Sequence, residues 1–112
     1  MTRYNGGEYM SVPLTEPMYY VLLALAHPAH GYALMQQIRQ LSRERVQIGP
    51  GTLYGLLSRM QDDGWIVLED SDGRRKTYAL TELGRRVLLA EYERLRLLLR
   101  DGAFLTTGEK TG

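Results

Sequence analysis

The 112-residue chain has no cysteine, one tryptophan, one phenylalanine, four prolines and only two histidines. The missing thiols exclude disulfide scaffolds, thiolate nucleophiles and Cys-based zinc sites, and they fit a reducing compartment. With two histidines and no cysteine, no metal site is expected. No apolar run approaches the ~20 residues that a membrane-spanning helix needs, so no membrane contact is expected. Residues 1–10 are polar and glycine-rich and lack the apolar segment of a signal peptide. These absences point to the cytoplasm. A catalytic set is missing as well: Asp62-Asp63 and the Asp70/Asp72 pair fall at a helix end and a turn tip, where solvated caps are the ordinary role. The glycine-rich run 49–55 lacks the Lys-Ser/Thr of a phosphate-binding loop. Neither an enzymatic activity nor a cofactor is expected. An excess of one charge is also missing. The formal net charge is +1, which taken alone argues weakly against a polyanionic partner.

What is present suits one small folded domain. Hydrophobic residues make up 44% and charged residues 24% of the chain, close to the globular average. The charge is unevenly spread. Arg74, Arg75, Lys76, Arg85, Arg86, Arg94, Arg96 and Arg100 face only Glu82, Glu91 and Glu93 in the same stretch, and the rest of the chain is acidic on balance. Local clustering matters more than the total, because charges beyond a Debye length of about 8 Å are largely screened at physiological salt.

Residues 1–14 read as a flexible arm. Thr15 suits the N-cap of a helix that opens with Glu16-Pro17, and Met18, Val21, Leu22 and Leu25 recur at helical spacing through Ala26. His27-Pro28 ends that helix, since the residue before proline avoids the α region. A second helix is predicted over about 31–42, with Ala33, Leu34, Ile38 and Leu41 on its apolar side. A short strand is predicted at Val46-Gln47-Ile48. After Gly49-Pro50-Gly51, a third helix runs over about 52–63 with Leu53, Leu56, Leu57 and Met60 as its stripe, closed by Gly64 as a left-handed cap. Residues 65–69 and 76–80 read as strands around the turn Asp70-Ser71-Asp72-Gly73. Thr81 caps a fourth helix that stops at Asp101-Gly102, and residues 102–112 read as a flexible tail. The fold class is mainly α with a small β-hairpin. It reads as a winged helix-turn-helix over 15–80 and a long C-terminal helix over 81–101.

Such a unit suggests double-stranded DNA as partner. The second helix of a helix-turn-helix lies in the major groove, and its N-terminal residues reach base edges. Thr52, Tyr54, Gly55, Ser58 and Arg59 face away from the leucine stripe. Gly51 and Thr52 let backbone approach phosphate, Thr52 can touch a thymine methyl, and Arg59 can pair with guanine or phosphate. Arg74, Arg75 and Lys76 at the wing can enter the minor groove or clamp the backbone. Each feature also has an ordinary reading, as an amphipathic surface helix and as a positive edge that discourages strand pairing. Their combination at this spacing is the specific signal. Tyr32 either reaches a phosphate or packs half-buried on the first helix, and His30 reads as a helix-start or turn residue. On the fourth helix, Leu88, Tyr92, Leu95 and Leu99 form a heptad-like seam widened by Leu89 and Leu98. A helix of this kind, reaching about 30 Å, needs a partner. A homodimer is expected, with packing onto its own first helix open for another face.

The motifs His30-Gly31-Tyr32, Gly51-Thr52-Leu53-Tyr54, Gly64-Trp65-Ile66, Gly73-Arg74-Arg75-Lys76-Thr77-Tyr78 and Leu80-Thr81-Glu82-Leu83-Gly84 resemble, in this order, the PadR family of transcriptional regulators. The resemblance covers about residues 15–100. It implies a dimeric winged-helix repressor on a pseudo-palindromic operator, in the short form with a single C-terminal helix. By position it implies DNA-facing roles for Tyr32, Thr52, Tyr54 and the basic wing. Gly55 and Thr77 depart from the family pattern, where proline and tyrosine are common. A small-molecule effector at the dimer interface is left open, because the tyrosines and methionines serve equally well as core and groove contacts. The expected function is a sequence-specific DNA-binding regulator, with a winged-helix protein-interaction module without DNA binding as the alternative.

Overall fold

The computed structural model describes residues 4–5, 8–9, 13–70 and 76–108. Its elements in chain order are β1 (Tyr4–Asn5), β2 (Glu8–Tyr9), α1 (Glu16–Ala24), β3 (Ala29–His30), α2 (Gly31–Leu41), α3 (Pro50–Asp62), β4 (Ile66–Asp70), β5 (Lys76–Leu80), α4 (Glu82–Asp101) and α5 (Phe104–Thr107). β1 and β2 pair with each other, apart from the main sheet. No described helix is long and apolar enough to cross a membrane.

Local chemistry sets the helix ends. Thr15 Oγ1 accepts the Met18 N–H at 3.2 Å, and Pro17 occupies the first turn of α1. Thr81 Oγ1 accepts the Gly84 N–H at 2.9 Å and donates to the Gly64 carbonyl at 2.6 Å, so one hydroxyl starts α4 and ties it to the end of α3. At that end Gly64 has φ +80°, its N–H reaches the Gln61 carbonyl, and the Trp65 N–H reaches the Met60 carbonyl. This is the paired closure that a left-handed glycine permits.

The core gathers around α1, which packs against α2, α3 and α4. Val21 and Leu22 of α1, Leu34 and Ile38 of α2, and Leu53, Leu57 and Met60 of α3 are buried with Trp65, Ile66 and Val87. The sheet is antiparallel in the order β3-β5-β4. Tyr78 of β5 pairs with both Ala29 and Leu68, and Thr77 pairs with both His30 and Glu69. Alternation turns Ile66 and Tyr78 inward and leaves Val67 and Glu69 exposed.

Several expectations need correcting. The segment Val46-Gln47-Ile48 is not a strand; the third strand is Ala29–His30, before α2. Val46 and Ile48 are buried around an exposed Gln47, so the alternation reflects packing without pairing. Ser42 Oγ accepts the Val46 N–H at 2.9 Å and holds this segment through a turn in which Arg43 and Glu44 take positive φ. α1 ends at Ala24 rather than Ala26, and α3 begins at Pro50 with Gly49 as N-cap rather than at Thr52. Leu41, expected on the apolar side of α2, is 49% exposed. Within the expected tail, Phe104–Thr107 forms one helical turn.

Candidate nucleic-acid interface

Three structural features are candidates for an interface. The first is the start of α3. Its N-cap, Gly49, makes no side-chain capping bond, and Pro50 has no N–H, so the N–H groups of Gly51 and Thr52 are free of side-chain caps. A Cβ at Gly49, Gly51 or Gly55 would meet no atom within 4 Å, so this edge is open to an incoming backbone. Helix N-termini of this kind favour phosphate. Thr52, Ser58 and Arg59 are exposed on the face opposite the buried Leu53, Leu57 and Met60.

The second feature is the start of α2. His30 is its N-cap, and Tyr32 is 61% exposed, so of the two readings for Tyr32 the half-buried one does not hold. The His30 and Tyr32 rings lie parallel, 5.8 Å apart and 5° from coplanar, and His30 Nδ1 is 3.4 Å from Thr77 Oγ1. His30 is thus a helix-start residue that also belongs to the sheet. An open groove of about 710 Å³ beside Tyr32 is lined by Gln36, Arg39, Glu44, Gln47 and Pro50 among others, and the Arg39 guanidinium in it is paired with Glu44 at 3.0 Å.

The third feature is the wing. Lys76 is exposed at the start of β5. Arg74 and Arg75 lie outside the described residues, as do Ser71, Asp72 and Gly73 of the expected turn.

Tyr54 stands differently from its neighbours. It is 44% exposed, and its ring lies over the backbone of Gly31. The Tyr78 phenol is pushed up from its ordinary pKa by burial and by the nearby Tyr54 phenol.

The expected dimerisation seam divides along its length. Leu88 is buried in the protomer's own core at 8% exposure, so it is not a free seam residue. Leu95, Tyr92 and Leu99 are 36%, 55% and 77% exposed, with Leu89 and Leu98 also bare. The stripe is core where α4 lies on α1 and uncovered beyond it. Glu91 sits at the boundary, 2% exposed, accepting the Leu14 N–H at 3.2 Å and two hydrogen bonds from Arg94 at 2.9 and 2.7 Å. The sequence reading counted Glu91 only as a charge. Its spacing from Gly84, Val87 and Leu88 places it on the inner face and could have located it.

The model of the PadR-like family of transcriptional regulators matches residues 21–90, which spans α1 through the wing and the first half of α4. The chain belongs to the PadR-like family. It is 38% identical over 81 residues to the transcriptional regulator Rv3488 of Mycobacterium tuberculosis, covering 70% of this chain and 73% of that protein. It is 42% identical over 72 residues to a 37.1 kDa protein in transposon TN4556 of Streptomyces fradiae, covering 63% of this chain but only 20% of that protein's length. The crystal structure of a PadR family transcriptional regulator from Eggerthella lenta is 34% identical, with a TM-score of 0.61 over 84% of this chain and 83% of that one. The family is one of transcriptional regulators, and the chain shares its fold with F93 from STIV, a winged-helix DNA-binding protein.

Proposed function

We propose that this PadR-like regulator is a homodimeric repressor that occupies a pseudo-palindromic operator and excludes polymerase sterically. Two protomers pair through the bare C-terminal half of α4, around Tyr92, Leu95 and Leu99, and each presents one α3 to the DNA. Thr52, Ser58 and Arg59 read the major groove. Gly51 and Tyr32 meet phosphates, and Arg74, Arg75 and Lys76 grip the backbone or minor groove. The protein works in the cytoplasm, with its DNA. The observation that carries this reading is the open, uncapped start of α3, which shares a groove with the exposed Tyr32. Two-fold symmetry sets the half-sites about one helical turn, roughly 34 Å, apart.

Selection of bound sequences from a random duplex pool tests the reading. The expected product is an inverted repeat with half-sites about 10–10.5 bp apart. A pool that never converges, with no duplex binding even at low salt, overturns it in favour of a protein-interaction module. Binding that weakens steeply with salt supports it, since each neutralised phosphate contributes about −0.9 to the log–log slope.

A further inference from the structure

Gly31 is the joint between β3 and α2, where the wing sheet passes into the first helix of the helix-turn-helix. It is buried. A Cβ built at this position would lie 2.9 Å from Tyr54 Oη, 3.0 Å from Cε1 and 3.3 Å from Cζ. Those distances leave no room for any side chain while the Tyr54 ring keeps its place. The preceding residues, Ala29 and His30, pair with Tyr78 and Thr77 of β5. A single ring from the reading helix is therefore seated on the residue that links the sheet to α2.

We propose that Tyr54 is a positioning residue for DNA recognition: its ring, seated on the Gly31 backbone, fixes α2 and the wing sheet relative to α3 and acts through the phosphate contacts of Tyr32 and Gly51 rather than by reading a base. Tyr32 at the start of α2 and Gly51 at the start of α3 must meet phosphates of one backbone at the same time, so the offset between the two helix starts is part of the binding site on any duplex. Tyr54 sets that offset through a contact that depends on the absence of a side chain at position 31. The nearness of the Tyr54 and Tyr78 phenols places the same ring next to the wing. The role rests on the DNA-binding reading above.

The test compares Tyr54→Phe, Tyr54→Leu, Gly31→Ala and the Gly31→Ala/Tyr54→Leu pair. Binding is measured by fluorescence anisotropy on the selected duplex and on an unrelated duplex, below the melting temperature of each variant. Tyr54→Phe keeps the ring and is expected to match the wild type on both. Tyr54→Leu and Gly31→Ala are each expected to lose about tenfold on both duplexes, the size of coupling seen between side chains in contact. Gly31 is buried and presents no side chain to DNA, and a defect there that vanishes in the Tyr54→Leu background is assigned to the ring. In the Tyr54→Leu background, Gly31→Ala should add nothing.

A changed sequence preference in Tyr54→Phe, or wild-type affinity in Gly31→Ala, overturns the positioning role. Should Gly31→Ala fail to fold, Tyr54→Leu decides: an equal loss on both duplexes supports the role, and a loss confined to the selected duplex overturns it. A wild-type chain that binds neither duplex at low salt removes the DNA reading and the positioning role together. Variant failures with wild-type binding intact remove the positioning role alone.

Discussion

Glu91 is the residue at which burial and charge meet most sharply. Its carboxyl is held below the ordinary value of 4.5, first by the Arg94 guanidinium and also by the Leu14 N–H, with burial opposing them. Because the folded pKa is the lower one, the unfolded chain binds more protons between the two values, and stability rises with pH there. The contribution is complete above the unfolded value and is lost as pH falls through the folded one. Urea midpoints between pH 7 and pH 3 should drop accordingly. Glu91→Gln should flatten that dependence and cost about 1.5–3 kcal/mol at pH 7, the range for hydrogen bonds to charged groups. The same scale separates the DNA contacts. Alanine at Arg74, Arg75 and Lys76 should weaken all duplexes alike and reduce the salt slope by about one per lost phosphate. Thr52→Ala should instead change the selected motif, read by repeating the pool selection. The charges of the wing were legible in sequence because basic residues at a turn need no tertiary knowledge. The seat of Tyr54 on Gly31 was not, because it joins residues from two helices.

At the level of elements, the α3–wing–α4 junction carries the tightest packing. Trp65 N–H caps α3, its carbonyl accepts the Thr81 N–H at 3.0 Å, and a Cβ at Gly84 would overlap that same carbonyl. The obstacle is backbone, which cannot rotate away. Gly84→Ala should therefore cost about 3 kcal/mol, the upper end of ordinary overpacking, and thermal denaturation measures it. Thr81→Ala loses both a cap and the link to Gly64, and about 1–2 kcal/mol is expected in the same measurement. The caps at Thr15 and Thr81 and the closure at Gly64 were all readable, because each is settled within a few residues. The strand at Ala29–His30 was missed and one at Val46-Gln47-Ile48 was expected in its place. Strand identity depends on a partner, and the partner of β3 lies nearly fifty positions along the chain, at Tyr78 and Thr77.

For the whole molecule, the apolar face left bare is on α4. Its inner face, with Gly84, Val87, Leu88 and Glu91, is buried in the protomer, while Leu99 is 77% exposed. On the proposed pairing, Leu99→Glu should convert dimer to monomer by light scattering while the helical circular dichroism of the protomer stays unchanged. An unchanged mass would place the interface elsewhere. Periodicity found the stripe but could not say where α1 stops covering it, so Leu88 and Leu99 looked equivalent until the helices were packed.

By itself, the sequence determined what short-range chemistry dictates: which threonines cap α1 and α4, which glycine closes α3, that a pair of strands follows α3, and which family pattern the motifs follow. The tertiary structure alone decided which strand completes the sheet, which half of the α4 stripe is core, why a glutamate is buried and what Tyr54 rests on. Those outcomes depend on surfaces brought together from distant parts of the chain, and a linear pattern does not specify which surface meets which.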